Sequence, residues 1–222
     1  MNWFYNSREE RSKWLVERFE KEIQNSKSIL DVGCYNADLK KFLPEKIQYT
    51  GIDIAGKPDL FINLDKIDKL PFIDNQFDTI ICADVLEHLE NIHLIFDELC
   101  RISTKNIIIT LPNAYAGISS FLRKKTYAKT FEKQKQFGKY AKFYGLPLEK
   151  PEDRHRWFFS FDEALDFLKY RGGKLNFSIK LAESEYKYKK RPLLESLYYF
   201  VLRKINKNIA EGNIIVLLEK NK

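Results

Sequence analysis

A glycine and a carboxylate stand where two neighbouring strands of a predicted β-α-β unit end. Ser28–Val32 and Ile47–Ile54 are short apolar, β-prone segments, with Gly33 directly after the first and Asp53 near the end of the second. Apolar residues at helical spacing lie between them, and Pro44 ends that helix. The unit predicts two parallel strands joined by a right-handed crossover, and such sheets bind ligands beyond the carboxyl ends of their strands.

These positions suit a ligand that contains a ribose. Gly33 permits a tight turn and lets a ligand approach the main chain closely. A helix that begins near Ala37–Asp38 would present free N–H groups to a negatively charged group. Asp53 is placed to accept hydrogen bonds from the two hydroxyls of a ribose. A glycine turn followed by an acid is common in α/β proteins, so further segments must decide the interpretation.

Segments at the spacing expected of later strands in the same sheet make the functional interpretation more specific. The chain resembles the class I S-adenosylmethionine (SAM)-dependent methyltransferases, in particular the small single-domain group with LPF and DVLEHL motifs. The matching segments follow the family's order: LDVGC (30–34), GIDIA (51–55), LPF (70–72), QFDTIICADVLEHL (76–89) and TLPN (110–113). They lie within roughly residues 25–115, about half of the chain.

The resemblance implies an α/β fold with a Rossmann-like, doubly wound, seven-stranded mixed sheet whose last strand is antiparallel. We expect residues 1–222 to form a single methyltransferase domain. Residues 114–160 leave the common core and are interpreted as an inserted helical lid region that binds the substrate. Residues 187–211 are interpreted as a helical insertion between the last two strands.

The resemblance also implies SAM as the cofactor, with a defined set of contacts. Tyr35 and Ala37 stand where the family has glycines. Either Tyr35 points away and leaves the turn unaffected, which we favour, or it reduces the affinity for SAM. The expected cofactor-binding residues are Asp31, Gly33, Cys34, Tyr35, Asp53, Ile54, Leu64, Asp65, Asp84 and Val85.

Two histidines are candidate catalytic bases. His88 follows the predicted fourth strand, Phe77–Ala83, near the position that the resemblance implies for the sulfonium. A histidine with an unperturbed pKa of about 6.5 can accept a proton at neutral pH. His155 lies in a later segment, and we favour it for an acceptor hydroxyl. A structural histidine is the alternative at position 88. Asp84 and Glu87 also fit a capping box, so Glu87 is interpreted as a helix-starting residue.

Substrate contacts are expected from the segment around His155. Arg154 and Arg156 can bind an anionic group, Trp157 offers a stacking surface, and Asn113 lies at the mouth of the site after the fifth strand. The alternative is a salt-bridged loop with Trp157 and Phe158 in the core. The favoured acceptor is a small molecule, an anionic sugar, glycan or lipid precursor.

Two other functions stay open. The stretch 121–142 is basic and contains several aromatic residues, which is the pattern of an RNA-binding surface, so RNA methylation is one alternative. A non-catalytic SAM-binding or interaction module is the other, suggested by Tyr35. The oligomeric state is not indicated by the sequence.

Composition limits which other classes of protein and of binding site are expected. The formal net charge is +7, and the three cysteines have no metal-ligand spacing, so we expect reduced thiols, a cytoplasmic protein and no metal site. No secretory signal or transmembrane segment is expected. An apolar helix is predicted at 192–207, after the basic run 187–191. Buried packing is the default interpretation of this helix, and a dimer contact or a peripheral membrane contact are the alternatives.

Helices are also predicted at both sides of the common core. Residues 7–25 are predicted to form one leading helix, capped by Ser7 and Glu10. Residues 161–170 are predicted to form another, capped by Ser160 and Glu163 and ended by Gly172-Gly173.

Overall fold

The computed structural model describes residues 7–116, 140–141, 153–185 and 192–221. The helices are α1 (Arg8–Arg18), α2 (Glu20–Gln24), α3 (Ile92–Ile102), α4 (Phe161–Lys174), α5 (Leu193–Ile205) and α6 (Lys207–Ala210). The strands are β1 (Ser28–Val32), β2 (Gln48–Asp53), β3 (Leu60–Phe61), β4 (Phe77–Ala83), β5 (Ser103–Leu111), β6 (Tyr140–Ala141), β7 (Asp153–Arg154), β8 (Phe177–Ser184) and β9 (Ile214–Lys220).

Seven of these strands form one mixed sheet in the order β3-β2-β1-β4-β5-β9-β8. The strands from β3 to β5 pair in parallel, whereas β9 pairs antiparallel with both β5 and β8. This is the doubly wound, Rossmann-like sheet with an antiparallel last strand that the resemblance implied. The short strands β6 and β7 pair in parallel with each other, outside this sheet.

The central strand β4 is buried on both faces, as its nearly continuous apolar sequence predicts. Ile80 packs into a core cluster with Phe96 of α3 and Leu168 of α4. The next residue, Ile81, belongs to a second cluster on the opposite face, with Trp14 of α1. Alternate side chains of one strand therefore hold helices on both sides of the sheet, and its carboxyl end emerges between them.

The leading helix differs from the prediction because it is broken. Ser7 caps α1 by accepting a hydrogen bond from the Glu10 N–H at 3.1 Å, as expected. The α-helix stops at Arg18, because Phe19 has φ −111° and ψ 31°, and α2 starts at the next residue. Phe19 is buried in the core beneath the sheet. The change of direction keeps α1 beside the carboxyl end of β1.

Helix α4 runs past the pair of glycines that was predicted to end it. Gly172 lies inside the helix against β9, where an added Cβ would be 3.3 Å from Leu218 Cδ2. The chain instead turns at Asn176, which has a φ of 66°. The prediction that Gly172-Gly173 end this helix is therefore wrong, and close packing explains the first of the two glycines.

Helix α5 presents its apolar residues to solvent, so the expectation that this helix is buried is wrong. No residue of α5 is buried, and the side chains of Leu193, Leu194 and Ile205 are 85%, 81% and 76% exposed. Within the described ranges, no helix combines the length and the apolar character needed to cross a membrane. The basic stretch 121–142 lies outside the described residues apart from the backbone of β6, and 187–191 lies outside them entirely.

Candidate functional site

The turn after β1 has left-handed backbone at each position where the family has glycine. Gly33, Tyr35 and Ala37 have φ values of 78°, 49° and 57°. Gly33 also donates its N–H to the carbonyl of Ile52 in β2 at 2.8 Å, which draws the turn onto the neighbouring strand. Because Ala37 is left-handed, the segment that follows is a short 3₁₀ helix, Asp38–Phe42, rather than the predicted α-helix.

Asp53 holds this turn through its carboxylate. One oxygen accepts the N–H of Tyr35 at 2.8 Å and the other the N–H of Ala55 at 3.0 Å. The Tyr35 ring lies under the guanidinium of Arg8 from α1, with 4.7 Å between Cζ and the ring centroid. The turn therefore keeps its left-handed geometry with a tyrosine in place of glycine. The neighbouring Ile54 is 64% exposed.

A narrow cleft lies between α1 and this turn. Asp31 lines it, is buried, and accepts a hydrogen bond from the Tyr49 hydroxyl at 2.9 Å. Burial raises the pKa of Asp31 to about 7, against the lowering effects of Tyr49 and Arg11. The cleft combines cationic and anionic walls, and its lining residues are Arg8, Arg11, Ser12, Leu15, Asp31, Gly33, Cys34, Asp38, Leu39, Ile81 and Ala83.

The lining of the cleft also includes a cysteine whose thiol does not ionise at neutral pH. Cys34 is a buried free thiol, and burial together with the nearby charge of Asp31 raises its pKa to about 12. The thiol therefore stays protonated and serves as an apolar wall.

Asp84 directly follows β4, and its backbone conformation directs its carboxylate toward α1. Its φ is 55°, and its two oxygens accept hydrogen bonds from Arg11 at 2.6 Å and from the Thr110 hydroxyl at 2.7 Å. Burial opposes the charge, but Arg11 and Thr110 outweigh it and lower the pKa of Asp84. The capping-box interpretation of this residue is wrong, because the next 3₁₀ helix, Leu86–His88, has Val85 as its N-cap.

Three other expected cofactor contacts are mainly structural in their present geometry. Val85 packs against Gly33, where an added Cβ would lie 2.3 Å from Val85 Cγ2. Leu64 is buried in the core. Asp65 accepts the backbone N–H of Glu90 at 2.9 Å with one carboxylate oxygen, which ties the loop before α3 to the 3₁₀ helix Leu64–Lys66.

Both predicted catalytic histidines come together beyond the end of β4. The rings of His88 and His155 are edge to face, with centroids 4.7 Å apart. Asp153 Oδ2 lies 2.8 Å from His88 Nδ1, and Glu87 Oε1 lies 3.7 Å from His88 Nε2. His93, which was given no role, stands apart and packs edge-on against Trp157 and Phe167.

Two residues of this site, Glu87 and Arg11, were not predicted from the sequence as site residues. Glu87 is only 1% exposed, and burial followed by repulsion from Asp84 raises its pKa well above the ordinary value. Its position beside a histidine after a buried strand was the available signal. Arg11 is not among the predicted site residues, although its spacing of three residues from Arg8 places both cations on one face of the leading helix.

Three of the four predicted substrate contacts form hydrogen bonds with other parts of the protein. Arg156 donates to the carbonyl of His88 at 2.8 Å and to Glu90 Oε1 at 2.5 Å. Trp157 donates its indole N–H to the carbonyl of Leu89 at 2.6 Å. Both residues brace the segment that carries His88, so the salt-bridged-loop alternative describes them.

Asn113 has a structural role as well. It is buried, and its amide donates to the carbonyls of Asn208 at 2.7 Å and Glu211 at 2.6 Å. Assigning Asn113 to the substrate was therefore wrong, because its amide ties the end of β5 to α6. Arg154 is exposed beside Asp153 and is the one predicted substrate contact whose side chain is presented to solvent.

Comparison with known proteins identifies the family and the fold. A family model described as a methyltransferase domain matches residues 5–172. No curated protein gives a significant match to the sequence. Among solved structures, the chain is similar to a SAM-dependent methyltransferase from Archaeoglobus fulgidus, at 17% identity over 97% of this chain and 96% of that chain, with a TM-score of 0.54.

Two further structures share the fold. The methyltransferase domain of bacterial CtHen1-C aligns at 14% identity over 96% of this chain and 98% of that chain, with a TM-score of 0.57. The [4+2]-cyclase SpnF aligns at 13% identity over 99% of this chain and 86% of that chain, with a TM-score of 0.55.

Proposed function

The chain belongs to the methyltransferase domain family, and we propose that it transfers the methyl group of SAM to a hydroxyl of a small-molecule acceptor. The observation that carries this proposal is the position of the histidine cluster. His88, His155 and Glu87 lie beyond the end of β4, and Asp84 on the same loop borders the α1 cleft through Arg11. A cofactor cleft and a group of proton acceptors are thus adjacent.

SAM is the cofactor, and it supplies an electrophilic methyl group on a sulfonium. Asp31 would hold its ammonium group, because a buried carboxylate with a pKa of about 7 gains most from a cationic partner. Arg8 and Arg11 border the same cleft and would favour the carboxylate of the amino acid. Asp53, at the end of β2, would receive the ribose hydroxyls at the left-handed turn.

The acceptor would be oriented by the histidine cluster. Asp153 Oδ2 lies 2.8 Å from His88 Nδ1 and places a carboxylate beside that ring. His155 lies edge-on to it and is the group we propose to take the proton from the acceptor hydroxyl. Alignment of the hydroxyl oxygen with the methyl group would supply much of the rate enhancement.

An anionic sugar, glycan or lipid precursor is the acceptor class that we propose. It is supported by the net charge of +7 and by the exposed Arg154 next to the cluster. Arg156 no longer supports it, since its guanidinium is bound to His88 and Glu90. Arg154→Gln should therefore raise the KM for the acceptor and leave the Kd for SAM unchanged.

Because the [4+2]-cyclase SpnF has a similar fold, fold alone does not define the reaction. The test is methyl transfer from labelled SAM to a panel of sugar and lipid precursors that carry phosphate or carboxylate groups. His155→Gln should abolish transfer to the accepted compound and leave the Kd for SAM within about twofold. His93→Gln, at the third histidine of the chain, is the matched control and should stay active.

Two results would contradict the proposal. One is SAM binding without transfer to any hydroxyl compound in the panel. The other is full activity of His155→Gln, which would remove the histidine cluster from the reaction. Transfer to RNA instead, with an affinity that falls steeply with salt, would identify the RNA-methylating alternative.

A further inference from the structure

Three side chains beyond the end of β4 form an arrangement that the transfer of a methyl group does not by itself require. Glu87, His88 and His155 each offer one metal-ligand atom, and these atoms lie within 4.8 Å of one another. They come from two segments distant in sequence, the 3₁₀ helix Leu86–His88 and the segment after β7. The fold, rather than a local sequence motif, brings them together.

Glu87 points to a cation more directly than the histidines do. Its side chain is 1% exposed, and among the described residues its Oε2 atom has no hydrogen-bond partner. A buried side-chain oxygen without a hydrogen-bond partner is costly, and a bound cation would supply the missing partner. Asp84, which stands on the same loop, adds negative charge instead.

The histidine next to Glu87 has a carboxylate close to its other ring nitrogen. Asp153 Oδ2 lies 2.8 Å from His88 Nδ1, while His88 Nε2 lies 3.7 Å from Glu87 Oε1. The first contact is not aligned as a hydrogen bond, since Nδ1 has no hydrogen-bond partner among the described residues. A small rotation of either side chain would align it and leave Nε2 as the electron-pair donor, which is the usual outer arrangement around metal-bound histidine.

Two further contacts keep the ligand-bearing segment in place. The backbone N–H of Arg156 donates to the carbonyl of Glu87 at 2.8 Å, and its guanidinium donates to the carbonyl of His88 at 2.8 Å. Because Arg156 is the residue after His155, these bonds fix the distance between the two segments. The three donor atoms are thus positioned before any ligand arrives.

We propose that Glu87, His88 and His155 bind one divalent transition-metal ion. Two imidazoles and one carboxylate form a nitrogen and oxygen donor set that suits Zn²⁺, Mn²⁺ or Fe²⁺ better than Ca²⁺ or Mg²⁺, which prefer oxygen ligands alone. Ligand atoms around such an ion are closer than 4.8 Å, so small side-chain rotations complete the site. Three protein ligands leave coordination positions open.

The role of the ion rests on the proposed function, whereas its binding does not. A hydroxyl of the acceptor in an open position would be acidified by the metal and would release its proton to water. His155 would then act as a ligand instead of the base. Methyl transfer that is abolished by chelation and restored by metal would distinguish the two roles.

The test measures metal binding by the full-length chain without a polyhistidine tag and without SAM. After removal of metal with a chelator, titration calorimetry with Zn²⁺ and with Mn²⁺ should give about one ion per chain, confirmed by elemental analysis after dialysis. His155→Ala should weaken binding by more than about 100-fold, and Asp153→Asn by about 10- to 100-fold. His93→Ala should bind as the wild type does.

Glu87→Gln tests the third ligand and should also weaken metal binding. Because Glu87 is buried, this variant could fail to fold, and His155→Ala then serves as the test of the site. The absence of stoichiometric binding of either metal would overturn the proposal, and so would wild-type affinity in His155→Ala. An equal loss in His93→Ala would reveal binding elsewhere and would also overturn it. Because SAM is absent from these measurements, a failure of methyl transfer leaves their outcome unchanged.

Discussion

Gly33 and Val85 approach so closely that no other residue fits at position 33 without rearrangement. A Cβ added to Gly33 would lie 2.3 Å from Val85 Cγ2, and the backbone there has a φ of 78°. The contact joins the turn after β1 to the loop after β4. It therefore sets the distance between the side of the site that is expected to hold SAM and the side that carries His88.

Gly33→Ala should destabilise the fold by about 2–4 kcal/mol, because the clash with Val85 adds to the strain of a left-handed alanine. Urea denaturation measures the change. Gly173→Ala is the control, since an added Cβ there meets nothing within 4 Å; it should be neutral or stabilising by up to about 1 kcal/mol. The double substitution with Val85→Ala should recover part of the loss. A Gly33→Ala protein as stable as the wild type would contradict the geometry.

Asp31 should make the folded chain less stable as the pH rises. The pKa of Asp31 is about 7 in the folded chain, compared with about 3.9 in an unfolded one. The folded state therefore retains a proton that the unfolded state releases, and stability falls between these two values. Asp31→Asn should be more stable than the wild type by about 1–3 kcal/mol at pH 8, with a smaller advantage at pH 5.

Denaturation at the two pH values checks this prediction. Asp68→Asn, at an exposed position, is the control and should change the free energy of unfolding by less than about 0.5 kcal/mol. The stabilised Asp31→Asn protein should bind SAM at least about tenfold more weakly, since the amide offers no charge to an ammonium group. Destabilisation at pH 8 would show that the carboxylate is compensated in the folded chain.

The ion pair between Arg11 and Asp84 should be important for stability. Arg11→Leu leaves the partly buried carboxylate of Asp84 without its cation, and we expect a loss of about 2 kcal/mol at pH 7. Because the pKa of Asp84 is lowered in the folded chain, the stabilisation is present above pH ~4 and is lost as the pH falls below that. Lys13→Ala, at an exposed pair on the same helix, should cost less than about 0.5 kcal/mol.

The combination of Arg11→Leu with Asp84→Asn separates charge from packing. It should recover most of the stability, because the uncompensated carboxylate is gone and an amide can still accept from Thr110. Equal losses in the single and the double variant would mean that Arg11 acts through its packing instead.

Asn113→Ala should lower the stability of the fold and leave the affinity for SAM unchanged. The substitution leaves the carbonyls of Asn208 and Glu211 without their donor, which should cost about 2 kcal/mol. The Kd for SAM should remain within about twofold of the wild-type value under conditions where the variant is folded. A large loss of SAM affinity in a protein of unchanged stability would restore Asn113 to the binding site.

Much of the sheet follows from local sequence. The apolar run Phe77–Ala83 coincides with β4, and Ile92–Ile102 with α3, because burial on both faces of a strand and amphipathic helical spacing are both visible in residue order. The carboxylates Asp31 and Asp53 could be placed at one edge of the sheet for the same reason. The carboxyl ends of neighbouring parallel strands lie at the same edge of a sheet.

Long-range contacts decided what the sequence did not reveal. Arg156 and Trp157 were predicted to face the substrate, but they bond to carbonyls of His88 and Leu89, which are 68 residues away in each case. No local pattern encodes such partners. The break at Phe19 and the left-handed turn at Asp84 are similar, since tertiary packing overrides helix propensity and capping patterns there.

The proposed function requires the cleft between α1 and the glycine turn to bind SAM. Titration calorimetry of the purified chain with SAM and with its demethylated product tests this directly, with Asp53→Ala and Asp68→Ala as the matched pair. We predict micromolar binding of both ligands by the wild-type and Asp68→Ala proteins. Asp53→Ala should lose at least about tenfold in affinity, or about 1.4 kcal/mol. A wild-type chain that is folded by circular dichroism and binds neither ligand would contradict the account and identify a non-catalytic module on a methyltransferase fold.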